Sequence, residues 1–167
     1  IKDFGENYAQ ELLEKESLVS GDTNWHFIGQ IQSNKIRKVS HVVATWHSVT
    51  STKIAKEIHK RNKNASILLQ VSIKGPSNRK GFKIEEIPNV VNELRNEGVN
   101  LSGLMTMGVP ENKKETRESF VKLRQLADAL ELQECSMGMS GDFEIALESG
   151  ATMIRIGSAI FGNKRAD

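Results

Sequence analysis

Short apolar runs alternate with longer amphipathic ones along the whole chain, and this alternation restricts the fold more than any other feature. "NWHFIGQ" precedes "QSNKIRKVS", and "VVATWHSV" precedes "TSTKIAKEIHKRN". "ASILLQVSI" precedes "KIEEIPNVVNELRNEG", and "VNLSGLMTMG" precedes "KKETRESFVKLRQLADAL". "CSMGMS" then precedes "DFEIALESG", and "ATMIRIGSAIFG" follows. Ile67, Leu68, Leu69 and Val71 form a nearly continuous apolar run, as a parallel strand buried on both faces requires. Ile84, Ile87, Val90, Val91 and Leu94 recur three or four apart, the stripe of a helix packed on a sheet. Phe120, Leu123, Leu126 and Leu130 repeat that stripe, and Pro88 is tolerable if it lies in a first helical turn. Gly98 and Gly150 sit where helices should end.

With "IKDFGEN" taken as a strand before the helix "YAQELLEKES", the pattern predicts seven strands and six or seven helices. Alternating β and α units imply a parallel sheet, either open and doubly wound or closed into an eight-stranded barrel. Polar or unusual residues gather at the strand C-terminal ends: Glu6 and Asn7, Gln30, His47 and Ser48, Met105 to Met107, Gly138 to Ser140, Gly157 and Ser158. Barrel sites are built at that end. The expected fold is therefore an α/β (β/α)8 TIM-type barrel, with its first strand and helix missing from this chain. Residues 1–167 are expected to form one incomplete barrel domain, with unpaired edges on strands 2–7 and 153–157. The strands within 65–73 and 100–107 should be parallel neighbours across a helical crossover.

Composition narrows the function. A chain of 167 residues is long enough for one domain with a real core. A net charge of +2, with basic residues scattered, is no footprint for nucleic acid or for an anionic membrane. The densest basic stretch, Lys56 to Lys63, reads as a solvated helix face. No apolar stretch reaches the length of a membrane span. Cys135 is the single cysteine, so an internal disulfide is impossible and a reducing cytoplasmic setting is expected. Next to Ser136 in an apparent strand, it reads as a small buried hydrophobe and not as a nucleophile.

"SMGMSGDFEIALESGATMIRIGSAIFG" carries the densest functional signal. A Gly-Met-Ser corner followed by a helix starting near Asp142 presents backbone N–H groups to an anion. So does "RIGS" if the chain turns into a short helix after Gly157. Ser140 and Ser158 add hydroxyls, and Gly157 permits close backbone approach. In barrels, the loops after the last two strands often hold a phosphate. Arg155 stands among Met153, Ile154, Ile156, Ala159 and Ile160, where a guanidinium needs a partner. That partner is either a ligand's ring nitrogen or acidic group, or a buried carboxylate such as Glu6. His26 reads as a satisfied core histidine, with no second histidine or cysteine cluster at metal spacing. Gln32, Asn34 and Lys35 read as mostly structural. Asn7 is placed to cap the next helix or to reach a ligand, and the two roles are not exclusive.

Together "FGENYAQE", "WHFIGQIQSNK", "WHSV", "GLMTMGVP" and the last motif resemble the pyridoxal-phosphate homeostasis protein family. Its members are small cytosolic barrels similar to the N-terminal domain of alanine racemase. The resemblance implies pyridoxal 5′-phosphate (PLP) at the C-terminal mouth. It places Ser140, Gly157 and Ser158 at the phosphate, Arg155 at the pyridine nitrogen, Asn7 near the phosphate or ring, and Met105 near the ring face. It implies a Schiff-base lysine upstream of Ile1; neither Lys35, in "QSNK", nor Lys80 matches it. Thr50 departs from the family, where Asp often follows "HSV". The implied function is intracellular PLP homeostasis, by buffering or delivery to PLP-dependent apoenzymes, without strong catalysis and as a monomer when full length. The alternatives are a racemase-like PLP enzyme acting on amino acids, or an unrelated phosphate-binding barrel enzyme.

Overall fold

A computed structural model describes residues 1–19, 21–74 and 80–162. Seven strands run in order β1 (Asp3–Glu6), β2 (Asn24–Phe27), β3 (Val43–Val49), β4 (Ser66–Gln70), β5 (Leu101–Met105), β6 (Glu134–Met139) and β7 (Met153–Arg155). Between and after them lie α1 (Ala9–Glu16), α2 (Ser33–Val39), α3 (Thr52–Arg61), α4 (Ile87–Asn96), α5 (Lys113–Ala129), α6 (Phe143–Glu148) and α7 (Ser158–Phe161). Strand order equals chain order, and every neighbouring pair is parallel. The anticipated pairing of the strands within 65–73 and 100–107 is the β4–β5 ladder, with Leu69 opposite Leu104.

Local chemistry explains the helix ends. Pro88 sits in the first turn of α4, where its missing N–H costs nothing. Gly98 and Gly150 follow α4 and α6 at φ of 72° and 86°, the left-handed conformation that lets each helix stop. The Ser51 hydroxyl accepts the Ile54 N–H at the start of α3, and Asn112 accepts the Glu115 N–H at the start of α5. The basic stretch from Lys56 lies largely on α3, where Lys56 reaches Glu93 and Glu97 of the α4 region, each at 2.7 Å.

The parallel register divides the sheet into two chemically different faces. Phe27, Trp46, Ile67, Leu69, Leu104 and Cys135 point toward the helices and belong to the main apolar core. There they meet Leu12, Ile58, Val91, Leu94, Phe120 and Leu123. Cys135 is fully buried, and burial pushes its thiol up to about 11, which keeps it protonated and inert. The other face carries His26, Thr45, Leu68, Met105, Ser136 and Arg155.

That second face closes on itself. β3 and β6 are three strands apart, or roughly 14 Å in a flat sheet, yet His47 Nδ1 lies 2.7 Å from Ser136 Oγ. The sheet is therefore curled into a nearly closed barrel, with these side chains in its bore. β1 and β7 each have one hydrogen-bonded neighbour and form the ends of the sheet among the described residues. No helix among the described residues is long and apolar enough to cross a membrane.

Phe120 is completely buried between α5 and the sheet. Phe120→Ala should destabilise the chain by about 3–5 kcal/mol, read as a lowered urea midpoint with unchanged slope. A loss below about 1 kcal/mol would mean that α5 does not hold the outer core.

Candidate functional site

β6 and β7 are adjacent and parallel, so the loops after them emerge side by side at one end of the bore. The β6 loop holds Ser140, and Asp142 occupies the cap position of α6 as the sequence anticipates. The Asp142 carboxylate accepts the Met139 N–H at 2.6 Å and so fixes the turn around Ser140. Gly157 is the cap position of α7, with Ser158 its first residue. Ser140 Oγ accepts two backbone donors from that turn, Gly157 N–H at 3.3 Å and Ala159 N–H at 3.2 Å. Two amides thus converge on the Ser140 hydroxyl oxygen, with the Ser158 hydroxyl in the same turn. A Cβ added at Gly157 would meet nothing within 4 Å, so the space over that backbone is open.

Arg155, the last residue of β7, is half-buried on the bore side of its strand. Its Nη1 donates to Ser136 Oγ at 2.6 Å, and its Nη2 donates to the Thr106 carbonyl at 3.1 Å. Burial brings the guanidinium down to about 10, against the pull of the Asp142 carboxylate, so it keeps its charge at neutral pH. The structural alternative for Arg155, a pairing with Glu6, does not occur. Glu6 is bound by Lys15 of α1 at 2.5 Å, because α1 folds back over the end of its own strand.

Beyond Ser136 the polar contacts continue through the bore. Ser136 Oγ lies 2.7 Å from His47 Nδ1, and His47 Nε2 lies 2.9 Å from His26 Nδ1. His26 Nε2 is 3.3 Å from the Asp3 carboxylate. His47 is buried, and desolvation, reinforced by His26 and the Arg155 cation, pushes its imidazole down to about 3. Reading His26 as a satisfied histidine gives the right outcome without its partner. The sequence marks His47 only as one of the polar residues at strand C-terminal ends and does not mark Ser136; their shared place on the bore face brings them together.

The remaining expected residues divide. Met105 ends β5, is buried, and sits in register with Ser136. Asn7 is exposed directly after β1. It does not cap the following helix: Tyr8 occupies that position, and α1 has no side-chain cap there. The Asn7 backbone instead packs on Gly29 of the next loop, where a Cβ would lie 2.0 Å from the Asn7 carbonyl oxygen. Only glycine permits that approach. Lys35 lies on α2, in a surface cleft shared with Ala9 and Leu13 of α1, and Lys80 is exposed.

Known proteins resemble this chain in sequence and fold. The family model described as "Alanine racemase, N-terminal domain" matches residues 1–165. The pyridoxal phosphate homeostasis protein of Aquifex aeolicus is 39% identical over 99% of this chain and 78% of its own length. The structure of PipY from Synechococcus elongatus with PLP bound is 31% identical, with a TM-score of 0.83, covering 95% of this chain and 81% of that one. Alanine racemase of Clostridium difficile, at 15% identity and a TM-score of 0.78, covers all of this chain and 46% of its own, and shares the fold.

The low value at His47 fixes a pH dependence. The unfolded chain takes up a proton at this imidazole below about 6.5, whereas the folded chain resists until about 3. The folded state binds fewer protons in that window, so stability falls as pH drops through it, by up to about 1.4 kcal/mol per pH unit from this group. Urea unfolding between pH 7 and pH 4 should show that loss, and His47→Gln should flatten it. An equal slope in the variant would mean that His47 is not held neutral.

Proposed function

The chain belongs to the alanine racemase N-terminal domain family, within the pyridoxal phosphate homeostasis proteins, and we propose that it binds PLP at the C-terminal end of the bore and serves PLP homeostasis. One observation carries this reading. A charged guanidinium, turned inward at the end of β7, stands beside a turn whose amides converge on an oxygen acceptor. Those are complementary needs of one ligand with a phosphate at one end and a ring nitrogen at the other.

The donor set fits that ligand. Ser140, Ser158 and the backbone N–H groups of Gly157 and Ser158 hold the phosphate, at a turn already shaped around an oxygen acceptor and open over Gly157. Arg155 faces the pyridine nitrogen and keeps a proton off it, because a second positive charge beside the guanidinium is unfavourable. Met105, in register with Ser136 on the bore face, would lie against the ring, and Asn7, exposed directly after β1, would border the pocket from that side. Bound PLP supplies an aldehyde and an electron-withdrawing ring. Arg155 weakens that electron withdrawal by denying the ring nitrogen its proton, which suits storage and transfer of the cofactor better than turnover of an amino acid. We propose further that the chain passes PLP to apoenzymes that depend on it.

The direct test is a titration of this chain with PLP, followed by absorbance and equilibrium dialysis. Saturable binding is expected, and Arg155→Glu, which replaces a donor beside the ring nitrogen with an acceptor, should weaken that binding or alter the bound absorbance. Ser140→Ala should weaken binding by about tenfold or more, as expected for one lost hydrogen bond to an anion. Inorganic phosphate should compete. Equal affinity in all three proteins, or substantial amino-acid racemisation by the loaded wild type, would contradict this assignment.

A further inference from the structure

The bore contains a row of polar side chains that phosphate binding does not use. It joins five elements: Arg155 of β7, Ser136 of β6, His47 of β3, His26 of β2 and Asp3 of β1. The contacts measure 2.6, 2.7, 2.9 and 3.3 Å in that order. The polarity of this row follows from its two ends. A guanidinium only donates, and a carboxylate only accepts. Ser136 Oγ receives the Arg155 N–H, so its own hydrogen is available for His47 Nδ1. His47 must then carry its hydrogen on Nε2 and donate to His26 Nδ1. His26 must carry its hydrogen on Nε2 and donate to Asp3. The opposite polarity would turn a bare imidazole nitrogen toward the Asp3 carboxylate unless His26 took up a proton.

We infer that Ser136, His47 and His26 are positioning residues for Arg155, forming a one-directional hydrogen-bond chain from the guanidinium at the mouth of the bore to the carboxylate at the start of β1. The chain aims the guanidinium and locks each histidine in one tautomer. Its bonds also polarise one another, because each donor is made stronger by the bond it accepts. Leucine or methionine in these places would bury more apolar surface at no hydrogen-bonding cost, and buried polar groups stabilise a fold only weakly. Their presence is explained by the need to hold a half-buried cation in one orientation. The neutrality of His47 agrees with this: a charged imidazole would place a second cation next to Ser136 and Arg155. The role toward the cofactor rests on the PLP assignment above; the chain itself does not.

Two measurements separate those claims. Long-range proton–nitrogen NMR of the labelled chain without cofactor, at pH 8, should find His26 and His47 each as the neutral tautomer with hydrogen on Nε2. The Arg155 Nη signals should be resolved from each other, and Ser136→Ala should average them and release the His47 tautomer. Histidines that exchange between tautomers in the wild type, or carry hydrogen on Nδ1, overturn the chain whether or not PLP binds. The second measurement compares His26→Leu, which ends the row at a half-buried position, with His26→Gln, which can still accept from His47 and donate to Asp3. His26→Leu should weaken PLP binding about fivefold and shift the bound absorbance, and His26→Gln should restore both toward wild type. Equal affinity and spectrum in the wild type and His26→Leu overturn the positioning role. A wild type that binds no PLP defeats the functional assignment, and the tautomers still decide the chain.

Discussion

A guanidinium inside a parallel barrel has to be held, and holding Arg155 sets the character of the whole bore. A buried cation without partners is among the most costly groups a fold can contain. Arg155 is accommodated by a hydroxyl from β6 and a carbonyl from the residue after β5. The hydroxyl belongs to Ser136, which in turn reaches His47 across the bore. One cation at the end of the last strand thus recruits polar side chains from the opposite wall. That contact bridges β1–β3 to β6–β7 and complements the apolar packing on the outside.

The two faces of the sheet divide the work. The outer face is mostly apolar, from Phe27 and Trp46 to Leu104 and Cys135, and buries the helix stripes that stabilise the domain. The inner face is mixed, and its polar members converge toward the C-terminal end of β7. Because every strand is parallel, the β6 and β7 loops open at the same end, which brings Ser140 to Gly157 without any long excursion of the chain. Local devices then set the loops: Asp142 holds the turn of the first, and Gly29 lets the Asn7 backbone settle beside the second strand's loop.

The fold was legible because its signals are local. Short continuous apolar runs, helical stripes, Pro88 in a first turn, and Gly98 and Gly150 past helix ends report on neighbours a few residues away. Arg155 was legible for the same reason, since five apolar residues around one arginine demand a partner. Which partner was not legible. Ser136 is separated from His47 by 89 residues, and their contact exists only because the sheet curls. His26 and His47 lie 21 residues apart on neighbouring strands, a pairing that depends on a register shift near His26. Asn7 illustrates a different failure: Asn is a good cap by type, but α1 begins one residue later, so Tyr8 takes the position.

The proposed PLP site sets the phosphate over the β6–β7 loops and the ring nitrogen toward Arg155. A crystal structure of this chain soaked with PLP tests that most directly. Phosphate oxygens are expected within hydrogen-bond distance of Ser140 Oγ and of the Gly157 or Ser158 amide, with the pyridine nitrogen facing the Arg155 guanidinium. PLP bound with its phosphate elsewhere, or with Arg155 turned from the ring, would contradict that placement.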